Sequence, residues 1–424
     1  MTERLFAKYR IETPYSLEEA AGVLAGEQST GTFTKVPGET DSVRERFGAA
    51  LESVVDLGYV EAPSLPGSAP PMPERMGHYQ VGEVTVSFPI EGVGVSLPVV
   101  LSTVAGNLFE LRQLSGIRLI DLDCPAEFAS VYPGPGFGID GTRRLTNVYD
   151  RPILGTIIKP SIGLAPFETA ELVDTLASAG IDFIKDDELM ADPPYSRLVD
   201  RCKAVMAVIN RHADKTGKKV MYAFNITGSI THMMRSHDAV LEAGGTCVMV
   251  SLNSVGLSAV EKLREHCSLP IHGHRNGWGM LTRCPSLGVD FRVYQKIWRM
   301  VGVDHLHVNG LANKFWESDD SVVSSISHCL EPLFGGYVAM PVVSSGQWGG
   351  QAPETYSRTG TVDLIYLAGG GILGHPDGPK SGVAAIRQAW EAAVDGVDLV
   401  EFAREHRELN RSLEYFSTAA GLSR

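Results

Sequence analysis

Ile153-Leu-Gly-Thr-Ile-Ile-Lys159-Pro160-Ser161 and, one helix-length segment later, Asp182-Phe-Ile-Lys185-Asp186-Asp187-Glu188 decide how this chain folds. Each is a short apolar run that ends in charged residues, the pattern of a buried strand with a chemically loaded C-terminal end. The pattern recurs at Val220–Asn225, Cys247–Leu252, Pro270–His274, His305–Val308, Val338–Ser344 and Leu364–Ala368. With Ile153–Lys159 and Phe183–Asp187 there are eight runs, each followed by a helix-length segment. Parallel strands need crossover helices, so the spacing predicts an α/β fold built on a (β/α)8 TIM barrel. A doubly wound open sheet would use the same units, but polar residues at nearly every strand end favour closure. A charged helical tail, Leu399–Leu413, is expected to pack outside the barrel.

Upstream the pattern differs. Residues 1 to about 130 combine a helix-like stretch (Ser16–Ala25), a Gly/Pro/Ser-rich segment (Pro63–Pro71) and the alternating run Val84–Phe88. This reads as a smaller α+β domain. Val131-Tyr-Pro-Gly-Pro-Gly-Phe-Gly-Ile139 is dense in residues that break helices and ladders, which places the boundary there. The expected division is 1–135 for the N-terminal domain and 136–424 for the barrel with its tail.

Composition narrows the classes of function. Hydrophobic residues at 44% and charged residues at 21% are those of a chain that folds throughout. A net charge of -13 argues against nucleic-acid or anionic-membrane partners, which need a basic surface. The six cysteines are widely spaced with no Cys-x-x-Cys pair, which disfavours a zinc knuckle or disulfide framework. The N-terminal MTERLFAKYRIETPY lacks the apolar core of a secretory signal, and no run is long enough for a membrane span, so a cytoplasmic protein is expected.

Barrel enzymes carry their active sites at the C-terminal strand ends. Alternation puts Phe183, Lys185 and Asp187 on one face, with Glu188 just beyond. Two carboxylates beside a lysine offer oxygen ligands to Mg2+, although an amine is no ligand for that ion unless chemically altered. Alone, the run also reads as a solvated turn. Strand five ends in His274-Arg275 and strand six carries His305-Leu-His307, histidines suited to proton transfer or anion binding but equally to a satisfied core. After strand six, Gly310-Leu-Ala-Asn-Lys314 can swing a lysine over the barrel mouth. Strands seven and eight end in Ser344-Ser345-Gly346 and Gly369-Gly370-Gly371, whose bare amides can cradle phosphate.

From about Tyr15 to Ala389 the sequence resembles the large subunit of ribulose-1,5-bisphosphate carboxylase/oxygenase, and more closely its non-carboxylating relatives, the RuBisCO-like proteins. Asp182–Glu188 is the most specific part. The resemblance implies a (β/α)8 barrel behind a ferredoxin-like α+β domain, and a lysine, here Lys185, that reacts with CO2 to form a carbamate. That carbamate would ligate Mg2+ together with Asp187 and Glu188. By the same matching Lys159 resembles the family's proton-transfer lysine, and His274 is counted with Lys159, Lys185 and Lys314 as catalytic. Arg275, His307 and Ser344 resemble one phosphate-binding group, and Lys314, Gly346, Gly369 and Gly370 the groups at the other end of the substrate. Glu27, Thr32 and Asn107 look like residues that close the site of a neighbouring subunit, which implies a homodimer or higher assembly with shared sites.

The departures narrow the chemistry. Carboxylases read Lys-Pro-Lys where this chain reads Lys159-Pro160-Ser161, Trp where Phe33 stands and His where Trp278 stands, and their loop around Lys314 differs. Losing a cation at Ser161 removes support for the neighbouring lysine, so ribulose-bisphosphate carboxylation is not expected. The diketo-methylthiopentyl-phosphate enolase branch uses a lysine where Asn107 stands and lacks the His274-Arg275 pattern. The resemblance therefore implies a Mg2+-dependent carbon-carbon lyase acting through an enediolate on a phosphorylated sugar acid, with decarboxylation of 3-oxo-isoapionate 4-phosphate as the specific expectation. The alternatives are transcarboxylation with hydrolysis of that substrate, an isomerase or enolase of a phosphorylated ketose, and a non-catalytic regulatory relative.

Overall fold

The computed structural model describes residues 3–31, 34, 36–71 and 77–420. The chain forms two compact units, one of residues 1–133 with 277–300 and the other of 134–276 with 301–424.

The first unit is built on a mixed sheet of β1 (Arg4–Thr13), β2 (Ala50–Val60), β3 (Tyr79–Pro89), β4 (Gly116–Asp123) and β10 (Leu287–Val289), in the order β10-β4-β1-β3-β2. β1 runs antiparallel to both β3 and β4, and Tyr9, Val84 and Leu119 of these strands are fully buried. The helix Leu17–Glu27 starts where the sequence predicts, because Ser16 and Glu19 form a reciprocal capping box that satisfies two otherwise orphaned amides. Residues 277–300 join this unit because β10 extends its sheet, pairing in parallel with β4 from Leu287↔Ile117 to Val289↔Leu119. Nothing in the local pattern of 277–300 announces that pairing, so the sequence division at about 135 did not contain it.

The second unit is the barrel. Its strands are β5 (Ile153–Ile157), β6 (Phe183–Lys185), β7 (Met221–Asn225), β8 (Cys247–Ser251), β9 (Ile271–His274), β11 (His305–His307), β12 (Met340–Val343) and β13 (Ile365–Leu367). Every neighbouring pair is parallel, and β13 closes on β5 through Ile365↔Ile153. All eight predicted strands are present. The barrel interior near the strand starts is apolar, with Ile153, Phe183, Met221, Cys247, Met249, Met340, Val342 and Ile365 in one buried cluster. Gly155 is required there, since a Cβ on it would lie 2.6 Å from Leu367 Cδ2 and 2.8 Å from the Phe183 carbonyl oxygen.

The period of two then converts sequence into site. The parity that buries Ile153, Phe183, Met221, Cys247, Met340 and Ile365 carries Lys159, Lys185 with Asp187, Asn225, Ser251, Ser344 and Gly369 to the C-terminal strand ends, beside His274 and His307.

The C-terminal tail forms two helices, Leu399–Ala403 and Arg407–Ala420, where the sequence reading expects one. His406 Nδ1 donates to the Phe402 carbonyl at 2.7 Å and its ring stacks on Phe402, so a side chain serves the oxygen that the next helical turn would use. No helix among the described residues is long and apolar enough to cross a membrane. All six cysteines are free thiols.

Candidate active site

Lys185, at the end of β6, is 1% exposed, and its Nζ donates to the Asp186 carbonyl at 2.8 Å and lies 3.7 Å from Glu188 Oε2. Lys159 approaches from the neighbouring β5, with its Nζ donating to Asp187 Oδ2 at 2.6 Å and to Ser161 Oγ at 2.8 Å. Two lysines and two carboxylates from adjacent strands thus meet at one point. Burial pushes the Lys185 amine below the ordinary lysine range, and Glu188, Asp187 and Asp186 only partly oppose this. An amine so placed spends more of its time neutral and nucleophilic than a surface lysine does.

The acidic loop is held from behind by residues that the sequence reading did not single out. Asp186 points away from its neighbours and pairs with Arg201 at 3.1 Å, both side chains fully buried. The same carboxylate accepts the Tyr222 hydroxyl at 2.6 Å and the Asn225 amide at 2.9 Å. The Asn225 side chain in turn donates to the carbonyls of Asp187 at 3.1 Å and Glu188 at 3.2 Å. Because Asp186 faces backward, Lys185, Asp187 and Glu188 are free to face forward on a braced loop.

His274 stands over Glu188, with Nε2 3.6 Å from Oε2. The Asn276 amide donates to His274 Nδ1 at 3.2 Å, so the neutral ring carries its proton on Nε2, facing the carboxylate. Burial first, and then Lys185, pushes its pKa down to about 4, so the ring is neutral at pH 7.

Arg275 is buried and pairs with Glu317 at 2.5 Å. Glu317 also accepts from Asn309 at 2.7 Å and from Ser321 at 2.9 Å, and Ser345 donates to Asn309 Oδ1 at 2.8 Å. This network fixes the guanidinium, and its centre, Glu317, is again a residue the motif reading missed. Lys314 is exposed, with Nζ 5.3 Å from the Phe315 ring centre, while its amide donates to the Ser345 carbonyl at 3.3 Å. The Lys314 loop therefore meets the Ser345-Gly346 turn through backbone. Ser345 and Gly346 both have positive φ, 75° and 88°. Gly369 and Gly370 begin the short helix Gly370–Leu373, and a Cβ on Gly370 would meet nothing, so packing does not explain that glycine.

His307 and Ser344 are brought together at 3.2 Å, and the other His307 nitrogen faces His272 Nε2 at 2.8 Å. Both ring nitrogens are thus engaged within the protein. His272 and His305 were legible as a pair in retrospect: they lie two residues before His274 and His307 and face each other across β9 and β11 in register.

In the first unit, Glu27 and Asn107 are both exposed, and Gly106 lies against the Gln28 side chain, so their two segments are neighbours. Thr32 and Phe33 lie outside the described residues. Trp278 is packed against Tyr294 at a ring-centre distance of 4.4 Å. Elsewhere in the barrel unit His237, Asp238 and His266 offer metal-ligand atoms within 4.8 Å of one another. The Ser268 amide donates to His237 Nε2, which leaves the proton on Nδ1 and makes the trio a hydrogen-bonded bridge through Asp238.

Residues 138–416 match the family model of the ribulose bisphosphate carboxylase large chain, catalytic domain, and residues 2–61 and 73–128 match that of its N-terminal domain. A 3-oxo-isoapionate-4-phosphate decarboxylase from Rhizobium etli is 49% identical over 97% of this chain and 99% of its own. A 3-oxo-isoapionate-4-phosphate transcarboxylase/hydrolase from Xanthobacter autotrophicus is 52% identical over 98% of this chain and all of its own. Among solved structures, a rubisco-like protein from Burkholderia fungorum superposes with a TM-score of 0.89 at 42% identity, covering 97% of this chain and 99% of the other.

Proposed function

Since the chain belongs to the ribulose bisphosphate carboxylase large-chain family, we propose that it is a decarboxylase of 3-oxo-isoapionate 4-phosphate. The observation that carries this reading is the meeting of Lys159, Lys185, Asp187 and Glu188 at the strand ends of β5 and β6. Asp187 and Glu188 are hard oxygen donors that fit Mg2+, and the buried amine of Lys185 fits carbamate formation, which needs a neutral nitrogen to attack CO2 and release a proton. Asp187, Glu188 and a carbamate on Lys185 would hold Mg2+, which when bound would supply positive charge to offset the negative charge of an enediolate.

The remaining steps belong to the chain's own groups. Loss of CO2 breaks the bond to the carboxyl carbon and leaves its electron pair on the substrate. Lys159, its ammonium fixed by Asp187, delivers a proton from Nζ to the α-carbon that keeps this electron pair. Arg275, Lys314 and the amides of Gly346, Gly369 and Gly370 provide positive charge and donors for the phosphate and acid ends of the substrate. Neutral His274 keeps an N–H aimed at Glu188.

The test is incubation with Mg2+, bicarbonate and a panel of phosphorylated keto-acids and ketoses, followed by NMR. CO2 release from 3-oxo-isoapionate 4-phosphate is expected, slowed by ~10²-fold or more in Lys159→Met with Mg2+ affinity unchanged. Two carboxylate fragments, one of them phosphorylated, in place of CO2 assign the transcarboxylase/hydrolase reaction, which the Xanthobacter relative favours. Solvent exchange or isomerisation alone replaces the proposal with the isomerase reading. Ribulose 1,5-bisphosphate is expected to yield no labelled phosphoglycerate, because Ser161 gives Lys159 a hydroxyl where a carboxylase has a second cation.

The same reading makes the protein a homodimer or larger, with Glu27, Thr32 and Asn107 serving a partner's barrel. Mixing chains inactivated by Glu27→Ala with chains inactivated by Lys185→Ala then restores part of the activity. Verified mixed dimers without recovery would rule out shared sites.

A further inference from the structure

Gln347 follows the Ser345-Gly346 turn and is 1% exposed, a neutral amide buried where three loops of the barrel mouth converge. Its Nε2 donates to the Leu311 carbonyl, at the base of the Lys314 loop that follows β11, at 3.0 Å. Its Oε1 lies 3.3 Å from the hydroxyl of Tyr366 on β13, which also donates to the Trp348 carbonyl at 2.7 Å. Two glycines are shaped to it. A Cβ on Gly310 would lie 2.6 Å from Gln347 Oε1 and closer still to Cδ and Nε2, while a Cβ on Gly371 would overlap the Gln347 carbonyl oxygen and lie 2.7 Å from Trp348 Cβ. Neither glycine has a left-handed backbone, so close approach to residues 347 and 348, and no turn conformation, demands them.

The Lys314 loop is itself a braced piece. The Asn313 side chain donates to the carbonyls of Gly310 at 3.0 Å and Glu317 at 3.1 Å and accepts the Phe315 amide at 2.8 Å, and Asp319 accepts the Ala312 amide at 2.8 Å. A segment wired in this way shifts as one unit, so the place of the exposed Lys314 ammonium depends on how the base of the loop is seated. Gln347 seats it. Only a carboxamide offers a donor to Leu311 and an acceptor to Tyr366 at once, and leaving the Leu311 carbonyl without its donor costs free energy because that residue is fully buried.

We propose that Gln347 is a positioning residue for Lys314: its carboxamide, seated under Gly310, holds the Lys314 loop against the β12 loop and keeps it aligned with the glycine loop after β13. The inference rests on Lys314 meeting the substrate at the barrel mouth. Gln347 touches no substrate in this role. It fixes the spacing between the Lys314 ammonium and the amides of Gly346, Gly369 and Gly370, which serve the same end of the ligand.

The test combines hydrogen–deuterium exchange with kinetics on the whole protein. Gln347→Leu, close in volume but without a donor, is expected to speed exchange across residues 310–317, and to raise KM for 3-oxo-isoapionate 4-phosphate about tenfold, the scale of one lost hydrogen bond. Its kcat is expected to stay near that of the wild type, since Lys159 and Lys185 are untouched. Gly310→Ala attacks the same contact from the other side and is expected to do likewise. Gly310→Ala with Gln347→Ala, which makes room for the new methyl group, is expected to recover part of the KM that Gly310→Ala alone loses. Unchanged exchange over 310–317 in Gln347→Leu, a fall in kcat at constant KM, or no recovery in the double variant overturns the proposal. If the wild type proves inert toward 3-oxo-isoapionate 4-phosphate, the decarboxylase assignment fails by itself. Affinity for inorganic phosphate then takes the place of KM: a loss in Gln347→Leu together with faster loop exchange supports the positioning role, and unchanged affinity overturns it.

Discussion

Lys185→Met is expected to remove turnover by roughly 10³-fold or more, the scale on which loss of a central member of a catalytic unit acts, while leaving the fold intact. The side chain is 1% exposed and its amine is displaced toward the neutral form by burial, so an apolar residue of similar length replaces it without creating a cavity or an unpaired charge. The Asp186 carbonyl loses one donor, a cost of about 1 kcal/mol that leaves the barrel folded. What disappears is the nucleophilic amine beside Asp187 and Glu188. Turnover with CO2 release as readout, with thermal unfolding beside it, separates chemistry from stability. Wild-type enzyme freed of CO2 and divalent metal should behave like the variant and recover on adding both. Full activity in either preparation would remove the carbamate and the metal from the mechanism.

Arg201→Met acts on the same loop through stability. Arg201 and Asp186 are fully buried, and the guanidinium also donates to the carbonyls of Ser196 at 2.7 Å and Ala191 at 2.6 Å. Removing it leaves a buried carboxylate with only the Tyr222 hydroxyl and the Asn225 amide. Breaking one side of a buried pair costs roughly 3–5 kcal/mol. The urea midpoint should fall accordingly at constant slope. The double variant with Asp186→Asn should recover part of the loss, because the uncompensated charge is gone. A shift below about 1 kcal/mol would mean that water reaches Asp186 when Arg201 is absent.

The two variants probe Lys185 and, through Arg201, its neighbour Asp186, and the opposite roles of these two are a property of the strand. Residues 185 and 187 share a face and 186 takes the other, so a single run of four ionisable residues divides into forward chemistry and backward bracing.

Sequence alone determined the eight strands, their order and parallel sense, and the strand-end placement of Lys159, Lys185, Asp187, Glu188, His274 and Ser344. These follow from local properties: the period of two, the need for crossover helices, and the position of each charge relative to the end of its apolar run. Tertiary structure decided what depends on partners distant in the chain. Leu287–Val289 joins β4 because a vacant sheet edge accepts any extended strand in register, which three residues cannot advertise. Glu317 reads as one more acidic residue before a helix until Arg275 is found 42 positions away on the same carboxylate. His272, His307 and Ser344, far apart in sequence, come within hydrogen-bonding distance of one another only because folding sets β9, β11 and β12 side by side, and no local pattern in the chain reports which strands become neighbours in a closed barrel.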